Sequence, residues 1–481
     1  MLHRRRTWLR RTRLALATSL LGSALHAQAP PAPDRPWPIP DSATQRAAAL
    51  EIGPGEWVHK PYDLPALIDL AQRTNPETRA AWEAARAADA AVGLAESAYL
   101  PQLSMEALGG FERTPLPIPK TLIPKGYFVS ESREIIPSIA LKWLLFDFGR
   151  RDASLEAARA DSFVANAGFT AVHQKLVLEV SQTYFALGAA RGRLRAARKA
   201  LTTAQTVEAA TQAKRDRGLA TIVALTQAQR QTAQGHYSVA ATEGAERTAI
   251  ANLIAALGIP AATPLEVSDA SDTPPPASPN QSIAAAITAA LAHRPDIIAA
   301  LGKVDAAEAS LKVAQRAYRP TIGVSASVFQ NIGALRSDGG PTSTVNQAGG
   351  NILFSFSVPL FDGGERASHV SIARAKVRES QADLAQTRDS VAQQVVRAYD
   401  ELLTSLAEYD AAETLRRAAN TSYDAALHSY QHGVGTYTEL ATEENAVADA
   451  ERQIEDARAD AHTAAAGLAF AMGLNAVTQA P

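Results

Sequence analysis

The chain contains no cysteine, which excludes disulfides, thiolate metal sites and cysteine nucleophiles. Beyond the first 29 residues it also lacks any run of about 18 apolar residues, so no transmembrane helix is predicted. Walker loops, glycine-rich dinucleotide fingerprints and zincin motifs are missing as well. These absences argue against an enzyme, and we expect no bound cofactor and no metal.

The N-terminus has the pattern of a secretory signal peptide. A basic segment precedes a short apolar stretch from Leu14 to Leu25, and the small residues Ala27 and Ala29 are the two candidate cleavage sites. A basic arm that binds nucleic acid is the less favoured alternative. Removal of residues 1–29 takes six arginines away, so the formal net charge of −2 becomes about −8, which argues against a nucleic-acid partner. Without a cysteine after the cleavage region, we expect no N-terminal lipid.

The rest of the chain contains two copies of one unit. Asn-Pro-Glu at 75–77 recurs as Arg-Pro-Asp at 294–296, which is 219 residues later. Leu-Phe-Asp-Phe-Gly at 145–149 recurs as Leu-Phe-Asp-Gly-Gly at 360–364, and Gly218 recurs as Gly433, both 215 residues later. Repeated anchors at nearly constant spacing indicate a duplication. We predict repeats at 64–262 and 283–475, a Pro-rich N-terminal segment at 30–63, a linker at 263–282 and a tail at 476–481.

Each copy contains one very long predicted helix, at residues 150–215 and 365–431. These segments hold no proline and are rich in residues that favour helices. About 66 residues span roughly 100 Å at 1.5 Å per residue. The predicted helix before the strands and the predicted helix after the glycine turn are together nearly as long as this long helix. We therefore expect them to stack end to end beside the long helix.

Four segments alternate apolar and polar residues in the manner of strands. Each has about 9–11 residues, which is the length of a tilted transmembrane strand. Four strands cannot close a barrel, and lipid does not tolerate open edges, so spanning would require an oligomer. An ordinary half-buried sheet is the alternative. The residues between paired strands, 112–134 and 330–350, are predicted to form long external loops. The apolar positions are Leu103, Met105, Ala107, Ile139, Leu141, Trp143, Leu145, Ile322, Val324, Ala326, Val328, Ile352, Phe354, Phe356 and Val358.

Two recurring polar pairs have local explanations. Asp147 and Asp362 recur because of the duplication, and we predict that each caps the helix that follows. His428 and His432 share one helix face, a spacing that suits a metal ion, but the sequence shows no third ligand beside them.

Taken together, the duplicated unit, Leu-Phe-Asp-x-Gly at the strand ends and the turn motifs Arg217-Gly218-Leu219 and Tyr430-Gln431-His432-Gly433 resemble the TolC outer-membrane efflux family. The resemblance covers about residues 64–475. It implies an α+β, internally duplicated fold in which four transmembrane strands per chain contribute to the 12-stranded barrel of a homotrimer in outer-membrane lipid. It also implies that the long helices form an α-helical barrel in the periplasm.

The resemblance assigns roles to the turns between the long helices. They would form the periplasmic tip and contact a periplasmic adaptor protein, which joins an inner-membrane pump. Glu439 falls on an acidic ring position that constricts the tip; a solvated carboxylate on a helix face is the alternative. The second ring position falls on Thr442, which departs from the family pattern. The family's tip arginine and its acidic partner fall on Gly435 and Ala224, so this sequence lacks both of these residues of the family's latch. The adaptor-contact residues would be Arg217, Gly218, Leu219, Gly433, Val434 and Gly435.

The sequence therefore predicts the exit duct of a tripartite efflux system, which passively conducts small molecules such as drugs to the outside. The exit duct of a type I protein secretion system is an alternative with the same fold. A soluble periplasmic coiled-coil scaffold or adaptor belongs to a different class and would show one helical hairpin flanked by β-domains.

Overall fold

The computed structural model describes residue 46 and residues 61–269 and 273–474. The predicted signal peptide, most of the 30–63 segment and the 476–481 tail lie outside the described residues. The first copy comprises α1 (Leu64–Thr74), α2 (Pro76–Ser97), β1 (Gln102–Pro117), β2 (Tyr127–Phe146), α3 (Arg150–Asp216) and α4 (Ile222–Leu257). The second repeats this order with α5 (Ile283–His293), α6 (Pro295–Arg316), β3 (Thr321–Ser337), β4 (Thr342–Ser357), α7 (Glu365–Gln431) and α8 (Tyr437–Ala471).

The strands form one antiparallel sheet in the order β1-β2-β3-β4. They contain 16, 20, 17 and 16 residues, so each is longer than predicted. The prediction of long loops at 112–134 and 330–350 was wrong, because backbone pairing continues to Pro117↔Tyr127 and to Arg336↔Thr342. The apolar alternation stops earlier than the pairing does. Where a strand extends beyond an apolar environment, its backbone hydrogen bonds continue although the side chains there are polar.

The long helices have the predicted bounds. Helices α3 and α7 each contain 67 residues, or about 100 Å of helix. Helices α2 and α4 lie along α3, and α6 and α8 lie along α7. Helix α3 also packs against α6 and α8, so it joins the two copies.

End-to-end stacking of the shorter helices is confirmed where α4 ends beside the start of α2. Asn75 Nδ2 donates to the Ala256 carbonyl at 3.0 Å, and Thr74 Oγ1 donates to the Leu257 carbonyl at 2.7 Å. Gly258 caps α4 with φ 67°, and a Cβ there would lie 2.7 Å from Asn75 Cα. The close approach therefore requires glycine.

Two equivalent cores surround these junctions. The first is built on Leu67, Leu187, Leu253 and Leu257, which are fully enclosed between α1, α3 and α4. The second forms between α5, α7 and α8 around buried Val391, Val395 and Leu468. Part of the predicted linker packs here as well, because Val267 forms a parallel bridge with Tyr62. The helix junctions are thus held by ordinary apolar burial.

Asp147 and Asp362 are not the N-cap residues that the sequence predicted. Each lies two residues before the N-cap of its helix. The helix N-caps are Gly149 and Gly364, both left-handed and without a side-chain cap. Asp147 Oδ2 instead accepts from the Arg151 backbone N–H at 2.7 Å, and Asp362 Oδ2 accepts from the Arg366 N–H at 3.0 Å. The carboxylate still satisfies an otherwise unpaired helix donor.

Candidate functional site

The sheet has one apolar and one polar face along much of its length. Strand register places Leu103, Leu141, Ala326 and Ile352 in one cross-strand row, because neighbouring pairs in that row are directly opposite. The next row continues with Met105, Ile139 and Val328. All of the predicted alternating segments therefore contribute to the same face, as expected from side chains with a period of two.

The opposite face carries small polar and charged residues. One row contains Ser104, Ala140, Ser327 and Asn351, and Ser327 Oγ donates to Asn351 Oδ1 at 3.2 Å. The same face also carries Glu106, Glu112, Glu134 and Lys142. Three carboxylates against one ammonium make this face acidic.

A glycine turn joins α3 to α4 at the far end of the helices. Arg217 is the C-cap of α3, and Gly218 has φ 73°. The Leu219 N–H donates to the Lys214 carbonyl at 2.8 Å, which closes the last turn of the helix. The Leu219 side chain is 74% exposed at the tip.

The second turn repeats this geometry between α7 and α8. Gly433 has φ 78°, and the Val434 N–H donates to the Ser429 carbonyl at 3.0 Å. Val434 is 83% exposed. A Cβ on Gly435 would lie 3.0 Å from Ser429 Cβ, so a larger residue at that position requires the turn to shift. The six residues predicted in the two turns therefore lie at the same end of the molecule's long helices.

The two turns are tied to each other by side chains. Lys214 Nζ donates to the Tyr430 carbonyl at 2.6 Å and lies 3.9 Å from the centroid of the Tyr430 ring. Thr211 Oγ1 and the Tyr430 hydroxyl are 2.9 Å apart within a buried hydrogen bond. Tyr430 also packs with Val207, Ala228, Tyr437 and Leu440 in a small apolar core. The tip is thus one packed unit built from both copies.

Glu439 lies exposed in the first turn of α8, where it completes a capping box with Thr436. The Thr436 N–H donates to Glu439 Oε2 at 2.8 Å, and the Glu439 N–H donates to Thr436 Oγ1 at 3.2 Å. A capping box satisfies two helix donors at once. One carboxylate oxygen of Glu439 is therefore engaged with its own helix, and the charge stays at the surface.

Glu444 is a residue of the tip to which the sequence analysis assigned no role, although it lies close to the ring position at Thr442. It is only 4% exposed, and neither carboxylate oxygen has a hydrogen-bond partner. Burial raises the pKa of this carboxyl to about 7. Burial of each hydroxyl raises the pKa of Tyr423 and of Tyr437, and the negative charge of Glu444 raises both further. No local signal in the sequence distinguishes buried Glu444 from its half-buried neighbour Glu443.

Exposed apolar side chains at the start of α4 were also missed. Ile222 and Val223 follow the N-cap Thr221 and are both more than half exposed beside Leu219. We call the exposed apolar side chains at this end of the helices, Leu219, Ile222, Val223 and Val434, the tip surface. Large exposed apolar side chains are available to contact another protein.

The two histidines stack on each other near the second turn. The rings of His428 and His432 have centroids 4.1 Å apart, and His432 Nδ1 lies 2.8 Å from the His428 carbonyl oxygen. Within residues 61–269 and 273–474, no group of three or more histidine, cysteine or acidic side chains is placed to hold a metal ion. In the same residues, no single helix is long and apolar enough to span a membrane; by length and composition alone, the bent pair α5 and α6 could.

Comparison with known sequences gives relatives over most of the chain. Protein CyaE of Bordetella pertussis is 30% identical over 435 residues, covering 89% of this chain and 84% of that protein. The cation efflux system protein CusC of Escherichia coli K12 is 25% identical, with coverages of 81% and 80%. Outer membrane protein OprJ of Pseudomonas aeruginosa is also 25% identical, with coverages of 78% and 76%.

Solved structures share the fold. A crystal structure of CusC, solved to follow its folding and transmembrane channel formation, superposes on this chain with a TM-score of 0.72 at 21% identity. The superposition covers 87% of this chain and 96% of that one. The open state of the MtrE outer membrane channel of Neisseria gonorrhoeae superposes with a TM-score of 0.69 at 21% identity, with coverages of 86% and 89%. The described sheet and helices are therefore those of TolC-like channels, in which a trimer forms the β-barrel and the helical barrel.

The sequence pattern of outer membrane efflux proteins matches residues 67–259 and again residues 286–474. These two matches coincide with the two copies seen in sequence and structure, and together they cover most of the chain. A single helical hairpin, as expected for an adaptor, does not have this architecture. The chain belongs to the outer membrane efflux protein family.

Proposed function

We propose that this protein is the exit duct of a tripartite efflux system, a homotrimer that passively conducts small molecules such as drugs and cations to the outside. The observation that carries the proposal is the continuity of one chain from a two-faced sheet to paired helices of about 100 Å that end in an exposed tip. Channels of this family work with adaptor and pump partners. We also propose that the protein has no catalytic activity and carries no N-terminal lipid.

The tip surface is proposed to receive the periplasmic adaptor. Leu219 and Val434 are the most exposed apolar side chains of the two turns, and Ile222 and Val223 extend the surface along α4. Arg217, Gly218, Gly433 and Gly435 shape the turns that present them. Burial of such side chains against an apolar partner surface is favourable by about 25 cal/mol per Å².

The polar face of the sheet favours positively charged cargo. Glu106, Glu112 and Glu134 outnumber Lys142 on each chain, and a trimer would present three such sets to the lumen. A relative named as a cation efflux system protein is 25% identical over 81% of this chain. Both observations support cations and cationic small molecules as the substrate class.

Glu439 is proposed to constrict the tip at rest. Its carboxylate lies at the surface next to the turn, where threefold symmetry would bring three copies together. The test is single-channel conductance of the purified trimer in planar bilayers. We expect a small, cation-preferring conductance that increases several-fold in Glu439→Gln, which removes the charge but keeps an oxygen that accepts from Thr436.

The matched control is Glu379→Gln, an equal charge change at an exposed position of α7 far from the turns in sequence. Its conductance should equal that of the unmodified protein. An unchanged conductance in Glu439→Gln would leave the carboxylate with only its capping role. A folded trimer without any channel activity would contradict the duct itself.

Protein secretion by a type I system is the second candidate. The alkaline protease secretion protein AprF of Pseudomonas aeruginosa is 28% identical over 187 residues, which is 38% of each chain. Deletion of this protein in its native cells separates the two functions. Accumulation of a cationic dye inside the cells supports efflux, whereas loss of a protein from the culture medium with unchanged dye export supports secretion.

A further inference from the structure

The apolar face of the sheet changes to a basic surface near the hairpin ends. From Ile322 to Ile332 this face carries no charged side chain on any of the four strands. In the next row Arg133 lies between Phe111 and Ala334, and in the row after that Glu131 lies between Arg113 and Arg336. The charges begin abruptly and on three adjacent strands.

The height of the uncharged band fits a membrane. The ten residue-to-residue steps from Ile322 to Ile332 span about 34 Å of strand at 3.4 Å per step. With a tilt of about 40°, this length gives a height of about 26 Å, which is close to the roughly 25 Å apolar band of outer-membrane barrels. Arg133 and Arg336 then lie about 5–10 Å above that band, at the level of the lipid headgroups.

The three arginines keep free capacity for an anion. Arg113 Nε lies 3.3 Å from Glu131 Oε1, but the Arg113 side chain is 63% exposed. Arg336 donates to the carbonyls of Gly340 and Gly339 at 3.1 and 3.0 Å, which holds its guanidinium against the hairpin. The Arg133 guanidinium lies 5.6 Å from the centroid of the Phe111 ring.

Near the hairpin ends, the apolar face of the sheet has a net positive charge and the opposite face does not. Three arginines against Glu131 leave a net charge of +2 per chain. The nearby Lys125 and Asp338 form an ion pair at 3.2 Å and neutralise each other. The carboxylates of Glu112 and Glu134 project from the opposite face, because they alternate with Arg113 and Arg133 along their strands.

We propose that Arg113, Arg133 and Arg336 form a binding surface for the phosphate groups of the glycolipid in the outer leaflet of the outer membrane. The hairpin ends lie opposite the helices, which extend into the periplasm, so this surface faces the outer leaflet. Guanidinium groups bind phosphate oxygens through paired hydrogen bonds. The surface would anchor the barrel at a fixed height, whatever cargo passes through it.

The test measures glycolipid binding to the purified trimer by native mass spectrometry, with bisphosphorylated lipid A as the probe. The comparison ligand is the same glycolipid after both phosphates have been removed. A basic residue at an anionic lipid surface typically contributes about fivefold in affinity. We therefore expect the variant Arg113→Gln, Arg133→Gln, Arg336→Gln to bind lipid A on the order of 100-fold more weakly, and to bind the dephosphorylated lipid as before.

Lys142→Gln is the matched control, because it removes a positive charge from the polar face of the same sheet. It should leave lipid A binding unchanged. Equal affinity of the unmodified trimer for both glycolipids would overturn the proposal, as would an equal loss in the control. If the triple variant fails to form a trimer, salt titration of the unmodified protein decides: lipid A binding must weaken as salt rises, and salt-independent binding overturns the proposal.

Discussion

Helices α4 and α8 begin at equivalent places in the two copies, behind Thr221 and Thr436, yet their first turns meet different surroundings. Tyr437 at the start of α8 is 6% exposed, whereas its equivalent Ile222 on α4 is 54% exposed. The same contrast holds about two turns further along α8, where Glu444 is buried and its equivalent Gln229 on α4 is exposed.

The difference follows from the neighbours of each helix. Helix α8 packs along both α7 and α3, whereas α4 packs mainly along α3. The caps and turns are alike because local sequence determines them. Burial differs because it depends on which helix lies alongside. Duplicated sequence thus repeats local geometry without repeating the environment.

The largest expected effect is on the buried aromatic residue of this pair. Tyr437→Ala should lower the free energy of unfolding by about 3–5 kcal/mol, as other large aromatic truncations do in buried sites. Ile222→Ala should cost less than about 1 kcal/mol, because much of the side chain is already in solvent. Chemical denaturation of the two purified variants, followed by circular dichroism, measures both values. Equal losses would contradict the proposed difference in packing.

The next effect is a pH dependence of the free energy of unfolding, which should arise at Glu444 and not at the equivalent position of the first copy. The pKa of Glu444 is raised to about 7 from an ordinary value of 4.5, because burial disfavours the charged carboxylate. The folded state therefore holds the proton more tightly. The stabilisation of the folded state by this bound proton is complete below about pH 4.5. It is lost as the pH rises through 7, which lowers the free energy of unfolding by about 3 kcal/mol.

Glu444→Gln should remove this dependence. We expect the variant to be more stable than the unmodified protein by about 3 kcal/mol at pH 8, and to equal it near pH 4.5. Denaturation at a series of pH values measures the difference. Gln229→Glu is the control, since an exposed carboxylate at the equivalent position should not change the pH profile. A pH profile that is the same with and without Glu444 would show that this carboxylate is solvated.

The smallest effect should be equal in the two copies. Gly218 and Gly433 have φ values of 73° and 78°, and a Cβ at either would meet nothing within 4 Å. Gly218→Ala and Gly433→Ala should therefore each cost about 1 kcal/mol, from the left-handed backbone alone. Thermal denaturation of the two variants compares them directly. A clearly unequal pair of costs would mean that one turn is held by a contact outside its own backbone.

The helical half of the fold could be predicted almost residue by residue. The bounds of α3 and α7 followed from an unbroken run of helix-forming residues that ends at Gly218 and Gly433. The strands were predicted in the correct places but too short. Alternation reports the environment of side chains, and it stops at Phe111 although the backbone pairs as far as Pro117.

The tip could be predicted only in part. The turn residues carry a local signal, glycine in a left-handed conformation, so their location was correct. The family position of Glu439 was evident from its spacing, but its constricting role stays a prediction. Burial of Glu444 has no local signal, since Glu443 next to it has the same side chain and a different exposure.

The sequence by itself determined the duplication, the helix lengths, the caps and the side-chain alternation of the strands, because each depends on residues close together in the chain. Only the tertiary structure decided which equivalent residues are buried, how Tyr430 links the two turns, and that Arg113, Arg133 and Arg336 share one face. The Tyr430 link and the alignment of Arg336 with the other two arginines depend on pairing between segments about 200 residues apart. Strand register and helix packing, rather than local preference, bring such segments together.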